Sequence, residues 1–136
     1  MTTTTTEKRS VIVERDIAYS PEKIWRALTQ PHLIEEWLMK NDFNPVAGHS
    51  FKFTADWGAV DGQVQTVEPN KTLSYTWEAF GLESIVTWTL TPTSTGTHLR
   101  MEQAGFRPDQ QQVYMGAHQA WPDYFTAIEK VVAGLD

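Results

Sequence analysis

Apolar positions change their period three times along this chain, and each change marks an element. Val11, Val13 and Ile17 fall on one face of an alternating run, with Glu14 and Asp16 opposite, which predicts a strand over residues 11–18. Arg15 shares the apolar face; a lone buried charge is costly, so it is expected at an edge with its head in solvent. Ser20, Pro21 and Glu22 then form a helix start. Serine caps free amides, proline suits the first helical position, and glutamate suits the positive end. Ile24, Trp25 and Leu28 give the apolar stripe, and Pro31 ends the helix. Leu33, Ile34, Trp37 and Leu38 mark a second short helix.

Between Phe43 and Gly105 the period is two. Phe51 and Phe53 share a face, as do Leu73, Tyr75 and Trp77; Val86, Trp88 and Leu90; and Thr97, Leu99 and Met101. Val60, Val64 and Val67 belong to one further strand, and the odd step at its end predicts a bulge. Turns are expected at residues 45–48, at Asp61-Gly62, at residues 68–70, at Gly81 and over 93–96. Short strands joined this way make an antiparallel meander with one wet face. After Pro108 the helical period returns. Val113, Tyr114, Ala117, Trp121, Tyr124, Phe125, Ile128, Val131 and Val132 share one face of a helix of about two dozen residues. Pro122 inside it predicts a kink or local break. The fold class is therefore α+β: a curved antiparallel sheet wrapped around a long C-terminal helix, with two short helices after the first strand.

Size and composition narrow the function. The 136 residues suit one domain, expected over residues 10–136, with residues 1–9 a disordered tail rich in threonine. Seventeen acids against eleven bases leave a net charge of −6, which disfavours nucleic acid and anionic membranes as partners. No cysteine is present, so disulfides and thiolate chemistry are excluded. No apolar run approaches the ~20 residues of a membrane span, and the first ten residues lack the apolar core of a secretory signal. The expected setting is cytoplasmic.

Catalytic motifs are absent. His32, His49, His98 and His118 form no zinc pattern, and there is no GxSxG elbow, Walker loop or GxGxxG. No catalytic residue, metal or cofactor is assigned. Rings are abundant instead: six Trp, six Phe and four Tyr make 12% of the chain. Most of Trp37, Phe51, Phe53, Trp57, Tyr75, Trp77, Trp88 and Trp121 fall on inward faces. Large rings with polar tips suit an apolar pocket with a few hydrogen bonds. The expected ligand-binding wall is Trp37, Phe51, Phe53, Tyr75, Trp77, Leu99, Trp121 and Phe125.

Residues 11–132 also resemble a known superfamily, the START-like (SRPBCC, birch-pollen-allergen-like) proteins, and more narrowly the branch named after the activator of heat-shock protein 90 ATPase. The resemblance rests on the run from Ser20 to Thr29, on Pro31-His32-Leu33 and Trp37, and on Gly48, Gly62, Val67-Glu68-Pro69, Leu73 and Trp77. It continues through Val86-Thr87, Leu90, Thr91-Pro92, Gly96-Thr97, Leu99, Gly105-Phe106, Gly116 and Trp121-Pro122. Where the branch commonly has Trp-Trp-Gly-Pro, this chain has Trp37-Leu38-Met39-Lys40. The resemblance implies a helix-grip fold with a deep cavity between helix and sheet. It implies three functional classes. The first is binding of a small hydrophobic or aromatic ligand without a reaction, the ligand being its partner. The second is a polyketide cyclase or dehydratase, which needs an acid or base in the cavity from among Arg15, Asp56, Glu78 and His118. The third is a co-chaperone-like interaction module that stimulates a chaperone ATPase through an exposed apolar patch.

Overall fold

The structure, a computed structural model, describes residues 9–135. Its elements are β1 (Arg9–Ile17), α1 (Pro21–Thr29), α2 (Pro31–Trp37), β2 (Lys40–Asn41), β3 (Ser50–Ala55), β4 (Gly58–Glu68), β5 (Thr72–Ala79), β6 (Leu82–Pro92), β7 (Thr97–Phe106) and α3 (Gln111–Ala133). The strands form one antiparallel sheet in the order β1-β7-β6-β5-β4-β3-β2. The curved sheet holds the long helix against one face, which is the expected α+β architecture. Most of the expected tail lies outside the described residues, but Arg9 opens β1. Among the described residues, no helix is long and apolar enough to cross a membrane.

Local chemistry accounts for the element ends. The Ser20 side chain accepts from the Lys23 amide at 3.4 Å and caps α1. Gln30 separates the two short helices, and its amide donates to the Arg26 carbonyl at 2.9 Å. The register of β4 against β5 shifts between Val64 and Thr66, so the odd step in the valine pattern is a bulge. Phe80 and Gly81 both have positive φ, 54° and 77°, and close the two-residue turn from β5 to β6. Phenylalanine is an unusual occupant of that region.

Two expectations need correction. Asp61 and Gly62 form no turn: they lie inside β4, opposite Lys52 and Phe51, and the chain reverses at Asp56 and Trp57 instead. Glycine is there for proximity. A Cβ on Gly62 would run into the Phe51 ring and come within 2.5 Å of the Thr76 carbonyl oxygen. Helix α3 is also continuous through Pro122, so of the kink or break expected there the break does not occur. The Pro122 carbonyl accepts from the Thr126 hydroxyl at 3.2 Å and from the Arg15 guanidinium at 3.4 Å.

Strand β1 ties the helix down near both ends. Arg15 pairs with Glu129 at 2.7 Å, and Arg9 donates to Gln111 at 2.6 Å with its guanidinium 4.3 Å from the Tyr114 ring centroid. Arg15 thus sits on edge strand β1, as expected, with its partly exposed guanidinium paired to Glu129.

On the outer face, His98 of β7 sits between Glu14 and Asp16 of β1, each of its ring nitrogens 2.8 Å from a carboxylate oxygen. Both nitrogens donate only in the imidazolium, so the hydrogen bond to Glu14, then that to Asp16, raises its pKa above the ordinary 6.5. A raised folded pKa contributes stability that is fully present below 6.5 and is lost as pH rises through the folded value. His98→Gln is accordingly expected to lower the melting temperature at pH 5.5 and to have little effect at pH 9. An equal effect at both would contradict it.

Candidate functional site

Inward positions of five elements, together with Phe43 from the segment between β2 and β3, bring the rings into two groups. Phe43, Phe51, Phe53 and Tyr75 form one: Phe51 lies 5.0 Å from Phe43, 4.8 Å from Phe53 and 5.3 Å from Tyr75, centroid to centroid. Trp88 of β6 centres the other, 5.8 Å from Trp37 of α2, 5.7 Å from Trp121 and 5.7 Å from Phe125 of α3. These rings pack on one another. The polar tips expected to greet a ligand bond to the protein: Trp37 Nε1 donates to the Ala27 carbonyl at 2.7 Å, and Trp88 Nε1 to the Tyr75 hydroxyl at 3.0 Å. Burial raises the Tyr75 pKa far above the usual phenol value, so it stays neutral.

Open space lies further along the helix. A cavity of about 300 Å³ separates the first half of α3 from the turn end of β5 and β6. Its sheet side is Trp57, Trp77, Ala79, Phe80, Leu82 and Gln103. Its helix side is Val113, Gly116, Ala117, Ala120, Trp121 and Tyr124. The hollow has a simple origin. Along the inner stripe of α3, Tyr114, Trp121, Phe125, Ile128 and Val132 each carry a large side chain, and Ala117 does not. Ala120 and Gly116 beside it are also small, so helix and sheet meet without filling the gap.

The rim is ringed by aromatics. Trp57 and Phe80, from the tips of two neighbouring hairpins, have ring centroids 5.4 Å apart and are 50% and 71% exposed. Trp77 and Trp121 lie 5.6 Å apart deeper in. Tyr124 packs 5.3 Å from Trp121, and burial raises its pKa, so it too is neutral. None of these lining residues is Asp, Glu, His, Lys or Arg.

One buried polar chain reaches the cavity. Gln103, 1% exposed, follows Leu99 and Met101 on the inward face of β7. Trp121 Nε1 donates to its Oε1 at 2.8 Å, and its Nε2 donates to Ser84 Oγ at 3.0 Å. Ser84 in turn donates to the Trp77 carbonyl at 2.8 Å. Indole has only a donor, and the serine hydrogen is already committed, so the amide has one allowed orientation.

Two other hollows have different walls. One of about 490 Å³ lies beside Gly105, with Arg9, Glu78 and Glu83 at its rim and no ring among its residues. Another, between the short helices and the segment before β3, mixes Trp25 and Phe43 with Arg26, Asp42 and His49. Of these three hollows among the described residues, the 300 Å³ cavity combines an uncharged lining with the helix-to-sheet position that a grip fold provides.

Of the eight residues expected to form the wall, Trp77 and Trp121 line this cavity. Trp37, Phe51, Phe53, Tyr75, Leu99 and Phe125 are buried in the core and do not border it. The four candidates for acid–base chemistry lie elsewhere: Asp56, Glu78 and His118 are exposed, and Arg15 is paired with Glu129. Among the described residues, no group of three or more His, Asp or Glu side chains is placed to hold a metal ion. Sequence reasoning passed over Phe80, Gln103 and the small residues of α3. Two signals were available: an amide at an inward position of β7, and an alanine interrupting a bulky stripe.

A family model described as "Activator of Hsp90 ATPase homolog 1-like protein" matches residues 18–133. Protein MLL2253 from Mesorhizobium loti is 61% identical, with 94% of this chain and 99% of that one covered and a TM-score of 0.91. DynU16, a protein in the dynemicin biosynthetic locus, is 23% identical, with 92% of this chain and 47% of that one covered, at a TM-score of 0.83. The Aha1 dimer from Colwellia psychrerythraea is 19% identical, with 91% and 96% covered, at 0.83. At these lower identities the likeness is one of fold. No curated protein matches.

Proposed function

The chain belongs to the Activator of Hsp90 ATPase homolog 1-like family, and from that premise we propose that it binds a small hydrophobic or aromatic molecule in the cavity beneath Trp57 and Phe80. The observation that carries this reading is the gap at Ala117, a hollow bounded by aromatic faces in a protein whose other rings are tightly packed. A ligand hiding ~200 Å² of apolar surface there gains roughly 5 kcal/mol before ordering costs. Stacking on the flanking indoles adds to that gain and works against the cost of ordering the ligand. The proposed setting is cytoplasmic, with residues 10–136 acting as one domain.

Acid–base catalysis is the weaker reading, because the candidate acids and bases stand outside the cavity. The co-chaperone reading draws on the same exposed pair, Trp57 and Phe80. Two rings packed together at 5.4 Å make a small patch, and both line the cavity, which favours a small molecule over a protein surface. The test is a titration with a neutral, environment-sensitive naphthalene dye. A saturable blue shift with one dye per chain, displaced by unlabelled naphthalene, is expected. Failure of every neutral apolar probe to saturate would refute the proposal.

A further inference from the structure

We infer that Gln103 selects the ligand: the cavity prefers a neutral, flat aromatic molecule carrying a carbonyl, held by the second N–H of the Gln103 amide. This rests on the cavity being the binding site. A primary amide has two N–H donors and two acceptor lone pairs. Gln103 spends one donor on Ser84 and one lone pair on Trp121. One N–H and one lone pair find no partner among the described residues, and the side chain is 1% exposed yet borders the cavity. A buried donor left unsatisfied is costly, so a ligand oxygen that meets it recovers free energy that a plain hydrocarbon does not.

The surrounding chain makes this amide a fixed reading head. Trp121 and Ser84 bind its two ends, so it neither flips nor turns away. Trp77 contributes its carbonyl to the same chain and its ring to the cavity, so the polar and apolar halves of recognition share one frame. Charge is read as well. The lining holds no cation to receive a carboxylate, and the protein carries a net −6. An acid is therefore disfavoured by desolvation without compensation.

Three probes of one shape separate these terms: naphthalene, 2-naphthaldehyde and 2-naphthoate, titrated against the whole chain. The aldehyde is expected to bind roughly threefold to tenfold tighter than naphthalene, the worth of one net hydrogen bond, and the naphthoate at pH 7 more weakly than either. Gln103→Met keeps the length and removes the amide, so the aldehyde preference should fall to about onefold while naphthalene still binds. The bound aldehyde's carbonyl stretch should lie below its value in hexane in the native protein and return towards it in the methionine variant, which lost packing alone does not produce. Equal binding of naphthalene and aldehyde by the native chain overturns the inference while leaving the cavity proposal standing. A preference that survives Gln103→Met also overturns it. If no probe binds, the cavity proposal itself fails, and the inference with it.

Discussion

Trp88→Ala is expected to lower the melting temperature by roughly 10–20 °C. Trp88 is fully buried and joins three elements: its ring touches Trp37 of α2 and both Trp121 and Phe125 of α3 from its place on β6. Removing a buried tryptophan costs about 3–5 kcal/mol, from lost transfer energy and from the void left behind. For a chain of this length each kcal/mol moves the midpoint by about 3–4 °C. The substitution also removes the indole donor to the buried Tyr75 hydroxyl, and that phenol cannot ionise its way to comfort because burial already raises its pKa. Trp88→Phe should lose less, since it keeps a ring and forfeits chiefly the hydrogen bond and the second ring's volume. Thermal unfolding followed by circular dichroism checks both. A shift below about 3 °C for the alanine variant would mean that these rings do not form the tightly packed centre described.

Ala117→Phe should do the opposite to stability and remove binding. Ala117 is the small residue in the inner stripe of α3, half-buried where its neighbours on that stripe carry rings and branched chains. A phenyl group there enters the 300 Å³ cavity and meets Trp77 and Trp121 instead of backbone. The added apolar burial is worth about 1–2 kcal/mol if the ring reaches a relaxed rotamer, so the melting temperature should rise by a few degrees. Dye affinity should fall at least tenfold, because the space is taken. An intact, stabilised variant that binds as the parent does would place the ligand elsewhere. The hollow between α1, α2 and the segment before β3, with Trp25 and Phe43 in its wall, would then be the alternative.

The contrast between these two positions shows what the chain reveals before it folds. Period alone places Trp88, Leu90 and Val86 on one face of β6, and all are buried there. It places Trp121, Phe125 and Ile128 on one face of α3 for the same reason. Periodicity states which way a side chain points. It does not state what stands opposite. Phe51, Phe53 and Tyr75 point inward as read, but Phe43, from an irregular segment, fills the space among them. A ring that would have bordered a cavity becomes core through a neighbour 5.0 Å away that no period announces. The hairpin tips are harder still. Trp57 and Phe80 lie in two-residue turns, where alternation has no meaning, and they come together only because β3–β4 and β5–β6 are adjacent in the sheet. Gly62 misled for a related reason. Asp-Gly reads as a turn, but the glycine answers to the Phe51 ring across the ladder.

The central claim is that ligand and cavity coincide, and six tryptophans make this directly measurable. Their indole N–H signals can be followed one by one in a nitrogen–proton correlation spectrum during titration with 2-naphthaldehyde. The account predicts that the largest shifts fall on Trp57, Trp77 and Trp121, which line the cavity. Trp25, half-buried on α1, should stay where it was. A spectrum in which Trp25 moves most while those three hold still would contradict the account.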